Sequence, residues 1–174
     1  MNAITAAPAT LPSTPSRLRR FACMMYEGVL LFGVVFLAGY LFDTLTQSRH
    51  ALALRHTRQA WLFLVMGLYF VLCWRHNGQT LPMKTWHIRL VDRHGRVPGL
   101  PTLIWRYLLL WPLPLVAAGL IALASSMSRW PSMDLFIVVA PFAIFVPSWL
   151  DPDGQFLHDR LLGTRLESAA QAKA

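Results

Sequence analysis

The sequence predicts an all-α membrane protein of about four transmembrane helices. A short cytoplasmic β-hairpin loop is expected between helices 2 and 3, and a short amphipathic helix near the C-terminus. Three observations lead there. The 174 residues are 55% hydrophobic and only 14% charged, whereas a soluble domain carries about 25% charged residues. The apolar residues are gathered into long runs, and a bilayer core takes about 20 helical residues. The net charge of +8 lies mostly between those runs. It therefore reads as loop arginine under the positive-inside rule, without the dense soluble basic face that nucleic-acid binding needs. The expected partner is the lipid bilayer, with no nucleic acid.

Residues 1–16, rich in Ala, Thr, Pro and Ser and without charge, read as a disordered tail. The first span, about 20–41, follows Arg17, Arg19 and Arg20. It is too long for a signal peptide, and it carries Glu27 two turns inside. Arg20 and Glu27, seven residues apart, share nearly one helix face at roughly 10 Å along the axis. An acid there needs a partner or a polar cavity.

The second span, about 60–74, is short and bracketed by Trp61 and Trp74, as interfacial aromatics bracket membrane helices. Arg58 and Arg75 would snorkel at its ends. In the loop that follows, Trp86, Ile88 and Leu90 alternate with Thr85, His87 and Arg89. With a turn at Asp92 to Gly95 and a return through Val97, this reads as a hairpin outside the membrane. The third span, about 103–125, contains Pro112 and Pro114, which predict a kink. The fourth, about 135–150, is again short and holds Pro141 and Pro147. Asp151 or Asp153 then caps a helix over 154–162, ended by Gly163, with Phe156, Leu157, Leu161 and Leu162 as its apolar side. Residues 167–174 are expected to fray.

Twelve of the sixteen Lys and Arg fall in the N-terminal tail, the hairpin loop with Arg106, and the C-terminal segment. That side is expected to be cytoplasmic, with both termini on it. Cys23 and Cys73 lie inside apolar runs and form no C-x-x-C pair, so they read as small buried hydrophobes. No histidine spacing matches a metal pattern, and G-x-S-x-G, H-E-x-x-H and P-loop motifs are missing. No cofactor, metal or catalytic residue is expected. The exception kept open is a membrane-bound enzyme using His158 and Asp159 at the inner surface.

Three segments thus meet at the inner side: the Arg20/Glu27 helix, the hairpin loop and the QFLHDRLLGT tail. Together they resemble the RDD family of bacterial membrane proteins, from about Arg17 to Leu166. The family's opening arginine fits Arg20, and its first acid fits Glu27, here a glutamate where the family has aspartate. Its middle signature fits Gly78, Thr80, Lys84, Arg89, Asp92 and Gly95, with Pro82 near where many members have glycine. The arginine opening the next span fits Arg106, and the closing signature fits His158, Asp159, Gly163 and Thr164. The resemblance implies a multi-pass inner-membrane protein for which a transport role has been suggested, and it names no substrate.

Asp159 has three candidate partners: Arg20, Arg106 or the neighbours of Arg160. Two readings of Arg20, Glu27 and Asp159 stand. They lock the helices and orient the tail, or Glu27 takes up a proton or small cation during transport. The rival to transport is a non-enzymatic accessory or assembly factor whose hairpin and tail dock a partner. Four spans barely enclose a pathway, so a homo-oligomer or a membrane-protein partner belongs to the transport expectation.

Overall fold

The computed structural model describes residues 13–47, 54–128 and 131–169. The expected tail over residues 1–12, the outer-loop residues Arg49, His50, Arg129 and Trp130, and the end 170–174 lie outside the described residues. Four stretches are long and apolar enough to cross a membrane: Arg17–Thr46, Arg55–Thr85, Leu100–Ser128 and Ser132–Leu150.

Helix α1 (Arg17–Thr46) starts where the Ser16 side chain accepts from the Arg19 N–H. Helix α2 (Arg55–Asn77) extends the short apolar run at both ends, so the second span reaches full length. Helices α1 and α2 are joined far from the termini. There Arg58 pairs with Asp43 at 3.4 Å, and Trp61 Nε1 donates to the Ala38 carbonyl at 3.0 Å. Leu64, Leu68 and Leu72 of α2 recur every fourth residue and are exposed, the stripe expected of a lipid-facing surface.

The loop after α2 corrects the hairpin. Thr80 caps a one-turn helix, α3 (Leu81–Thr85), with Pro82 in its first turn. Strand β1 (Ile88–Asp92) then pairs antiparallel with the C-terminal strand β2 (Thr164–Ser168), not with residues around Val97. The chain after β1 turns too tightly to return as a strand. The Asp92 carboxylate accepts from the His94 and Arg96 N–H groups, which holds it below the usual carboxylate range. Pro98 then offers no N–H to a ladder. Opposite β1, Leu166 faces Leu90, and both are buried with Ile88. Because β2 runs to Ser168, the ordered chain continues past the boundary expected at 166.

The third span is broken rather than kinked. Helices α4 (Leu100–Leu109) and α5 (Pro112–Ser128) meet at Leu110 and Trp111, directly ahead of Pro112. Helix α4 lies close on α2. A Cβ on Gly67 would stand 2.8 Å from Tyr107 Cε1, and the Tyr107 hydroxyl donates to the Phe63 carbonyl at 2.7 Å. The fourth span is a 3₁₀ helix (Pro131–Phe145) continued by α6 (Val146–Leu150). At about 2.0 Å per residue the 3₁₀ part alone covers about 30 Å, which resolves its apparent shortness.

The last helix, α7 (Leu157–Leu162), is shorter than expected and carries no side-chain cap. Asp151 instead accepts from the Gln155 N–H at 2.8 Å and pairs with Arg160. Gly163 ends α7 in the left-handed conformation, as the sequence suggests. The expected apolar side divides: Phe156 joins the core and Leu162 is half-buried. Leu157 and Leu161 are exposed, whereas His158 and Asp159 are buried.

Arginine at the start of α1 gathers these pieces at one end of the bundle. Arg19 donates to the carbonyls of Trp86 and His87 and to Ser168 Oγ. The buried core lies there too, built from Cys23, Trp74, Ile88, Leu90, Leu103 and Phe156 among others.

Candidate functional site

A cavity of about 400 Å³ opens between α1, α2, α4 and the C-terminal segment. Its wall is mostly apolar, including Met24, Met66, Phe70, Leu110 and Phe145. The side chains of Arg20, Glu27, Arg106 and His158 also reach it.

Glu27 is 9% exposed, and both of its oxygens are engaged. The Tyr69 hydroxyl donates to Oε1 at 2.7 Å, and the Thr80 hydroxyl donates to Oε2 at 2.5 Å. Among the described residues no cationic side chain pairs with it. Thr80 occupies this place because Gly78 ends α2 with φ of 69° and folds the chain back onto β1. The Leu90 N–H donates to the Gly78 carbonyl at 2.8 Å, and a Cβ on Gly78 would lie 2.5 Å from Leu90 O. Glycine is required there on both counts.

Asp159 is fully buried at 0% exposed, and its partner is Arg106. Nε and Nη2 of Arg106 donate to its two oxygens at 2.7 and 3.2 Å, the bidentate form. Thr164 Oγ1 adds a third bond at 2.9 Å, and the Arg106 guanidinium lies 4.4 Å above the Trp74 ring. Burial alone would raise the Asp159 carboxyl. Arg106 and His158 beside it, with the bonds from Arg106 and Thr164, hold it below its usual value.

Arg20 is 4% exposed, yet it touches neither Glu27 nor Asp159 through a hydrogen bond. Its guanidinium lies 4.8 Å from the Phe156 ring centre, while Nε and Nη1 are buried without a partner. The structure therefore brings Arg20, Glu27, Arg106 and His158 to one cavity but divides the expected network in two. Glu27 belongs to the hydroxyls of α2 and the α3 cap, and Asp159 to Arg106 and Thr164. The remaining signature positions are peripheral. Asp92 and Gly95 form the turn after β1, Lys84 is exposed, and Arg89 is half-buried in β1.

Three residues of the site have no motif to announce them: Tyr69, Trp74 and Phe156. Tyr69 is the one signal available in retrospect, a hydroxyl in the middle of an apolar run. Trp74 faces the core, 2% exposed beneath Arg106.

His158 carries a pH dependence. It is 3% exposed, stacked on Phe156 with ring centres 5.4 Å apart, and its Nε2 lies 3.6 Å from Asp159 Oδ2. Burial pushes its imidazole down to about 4, against the pull of Asp159 and with the help of Arg106. The unfolded imidazole titrates near 6.5, so the unfolded state takes up the proton first as pH falls. Stability is then lost from about pH 6.5 down to about 4, amounting to about 2 kcal/mol by pH 5. Thermal unfolding in detergent should show this fall between pH 7 and 5, and His158→Gln should remove it. A His158→Gln variant with the same fall would refute the assignment.

Four membrane-length stretches with a buried carboxylate and a buried ion pair at one end define an integral, multi-pass membrane protein. The chain belongs to the RDD family, whose family model matches residues 14–163. No curated protein and no solved structure matches it.

Proposed function

We propose that this protein takes part in transport of protons or small cations across the bacterial inner membrane, with Glu27 as the membrane-embedded carrier group. The observation behind this is the setting of Glu27. It is a carboxylate inside a span, on the wall of a cavity, held by two hydroxyls and by no cation. An ionisable group inside a membrane span is costly to keep there, which makes it a candidate for an ion pathway. Hydroxyl partners orient the carboxylate without neutralising it, so a proton or monovalent cation can do so. On this reading the protein is not an enzyme, and His158 and Asp159 are structural. Both termini face the cytoplasm, because the basic segments gathered by Arg19 at one end carry most of the positive charge.

The test is pH-dependent cation flux in proteoliposomes of the pure protein. Flux should be present in the wild type and lost in Glu27→Gln. Flux unchanged by that substitution would overturn the role of Glu27.

One observation favours the accessory-factor reading. Arg93, His94 and Arg96 stand exposed in the turn beyond β1, a basic tip available to an acidic partner. A stoichiometric partner that co-purifies with the wild type and is lost in Arg93→Glu/Arg96→Glu, with no flux, would favour it instead.

A further inference from the structure

Three arginines enter α1, and two of them have protein partners. Arg17 donates to the Ser148 carbonyl at 3.4 Å, and Arg19 donates to two carbonyls and a serine. Arg20 is the most buried of the three, and among the described residues its Nε and Nη1 have no hydrogen-bond partner. A guanidinium cannot shed its charge. Burying it without a bonded partner is costly, so an oxyanion from outside the described residues would stabilise it. The nearby carboxylates do not bond to it, although Asp159 attracts it through space. Both Glu27 oxygens are taken by hydroxyls, and both Asp159 oxygens by Arg106.

We propose that the cavity binds an anionic amphiphile, with its oxyanion head on Arg20 and its apolar chain along Met24, Met66, Phe70 and Leu110. The cavity volume falls in the range of small-molecule sites, and its wall has the expected make-up of apolar surface with few polar groups. Phe156 covers one face of the guanidinium. His158 also lines the wall, with its Nε2 buried 3.6 Å from Asp159 Oδ2. Farther along α1, a Cβ on Gly28 would meet nothing within 4 Å, so the space for the chain continues there. The site does not depend on ion movement through Glu27.

The experiment uses the full chain in phosphatidylcholine nanodiscs, with the fluorescence of Trp74 and Trp111 on the cavity wall as the readout. Sodium laurate supplies head and chain, dodecanol the chain alone, and inorganic phosphate the head alone. Laurate should bind at least about tenfold more tightly than either, as a charge-assisted hydrogen bond implies. Arg20→Gln should weaken laurate by about tenfold or more, whereas Arg20→Lys keeps the charge and most of the affinity. Gly28→Leu fills the chain path from an open position and should weaken laurate with Arg20 intact. Nanodiscs of phosphatidylglycerol separate the sources. Competition there assigns the site to a lipid headgroup, and its absence to a single-chain amphiphile. Laurate affinity unchanged in both Arg20→Gln and Gly28→Leu, or dodecanol binding as tightly as laurate, would overturn the proposal.

Discussion

Arg106→Ala is expected to destabilise the folded protein by about 3–5 kcal/mol, a large share of the stability of a domain this size. The loss arises less from the pair's own attraction than from what remains. Asp159, at 0% exposed, would keep one hydroxyl donor, Thr164, and no counter-charge. Trp74 would also lose the cation above its ring. Because α4 and α7 are joined through this pair, the damage should centre on the C-terminal segment and its strand β2. Unfolding in detergent measures the total. The double variant Arg106→Met/Asp159→Leu removes both charges and should recover most of the loss, since a buried ion pair gives little net stability over apolar replacements. A double variant as unstable as the single one would mean that the pair acts through something other than its charges.

Thr80→Val is expected to cost about 2–4 kcal/mol, from two roles of one hydroxyl. As N-cap of α3 it accepts from the Met83 N–H, and as a donor it holds Glu27 Oε2. Loss of a cap costs about 1 kcal/mol, and loss of a hydrogen bond to a charged group about 1.5–3 kcal/mol. Tyr69→Phe separates the two, since it removes the other Glu27 donor and leaves the cap intact. Thr80→Val should therefore be the more destabilising by about 1 kcal/mol. Equal losses would show that the cap contributes nothing.

Hydropathy was enough to find the spans, because crossing a bilayer is a demand on length and composition that any window of sequence displays. It was not enough to say which side of a helix faces inward. Lipid is as apolar as a core, so the sequence leaves open whether Leu157 and Leu161 face the membrane surface or the bundle, and the structure leaves them exposed. The buried positions of α7 are its polar ones, His158 and Asp159. Trp74 shows the same ambiguity, since an aromatic at the end of an apolar run suits an interface and a core equally. The signature residues Arg20, Glu27, Thr80, Arg106 and Asp159 could be marked by type and spacing, but their pairing depends on helix rotation and on the distant strand β2. A local reading gave β1 its nearest partner through the turn at Asp92, whereas the strand that pairs with it arrives at the end of the chain.

Glu27 carries the central claim, and its flux in proteoliposomes tests that claim most directly. Pure wild-type protein, Glu27→Gln and Glu27→Asp are compared across pH under an imposed cation gradient. The wild type should show pH-dependent flux, Glu27→Gln should show none above empty vesicles, and Glu27→Asp, which keeps the charge on a shorter arm, should retain part of it. Flux in Glu27→Gln equal to the wild type, or no flux in any of the three, would contradict a carrier role for this carboxylate.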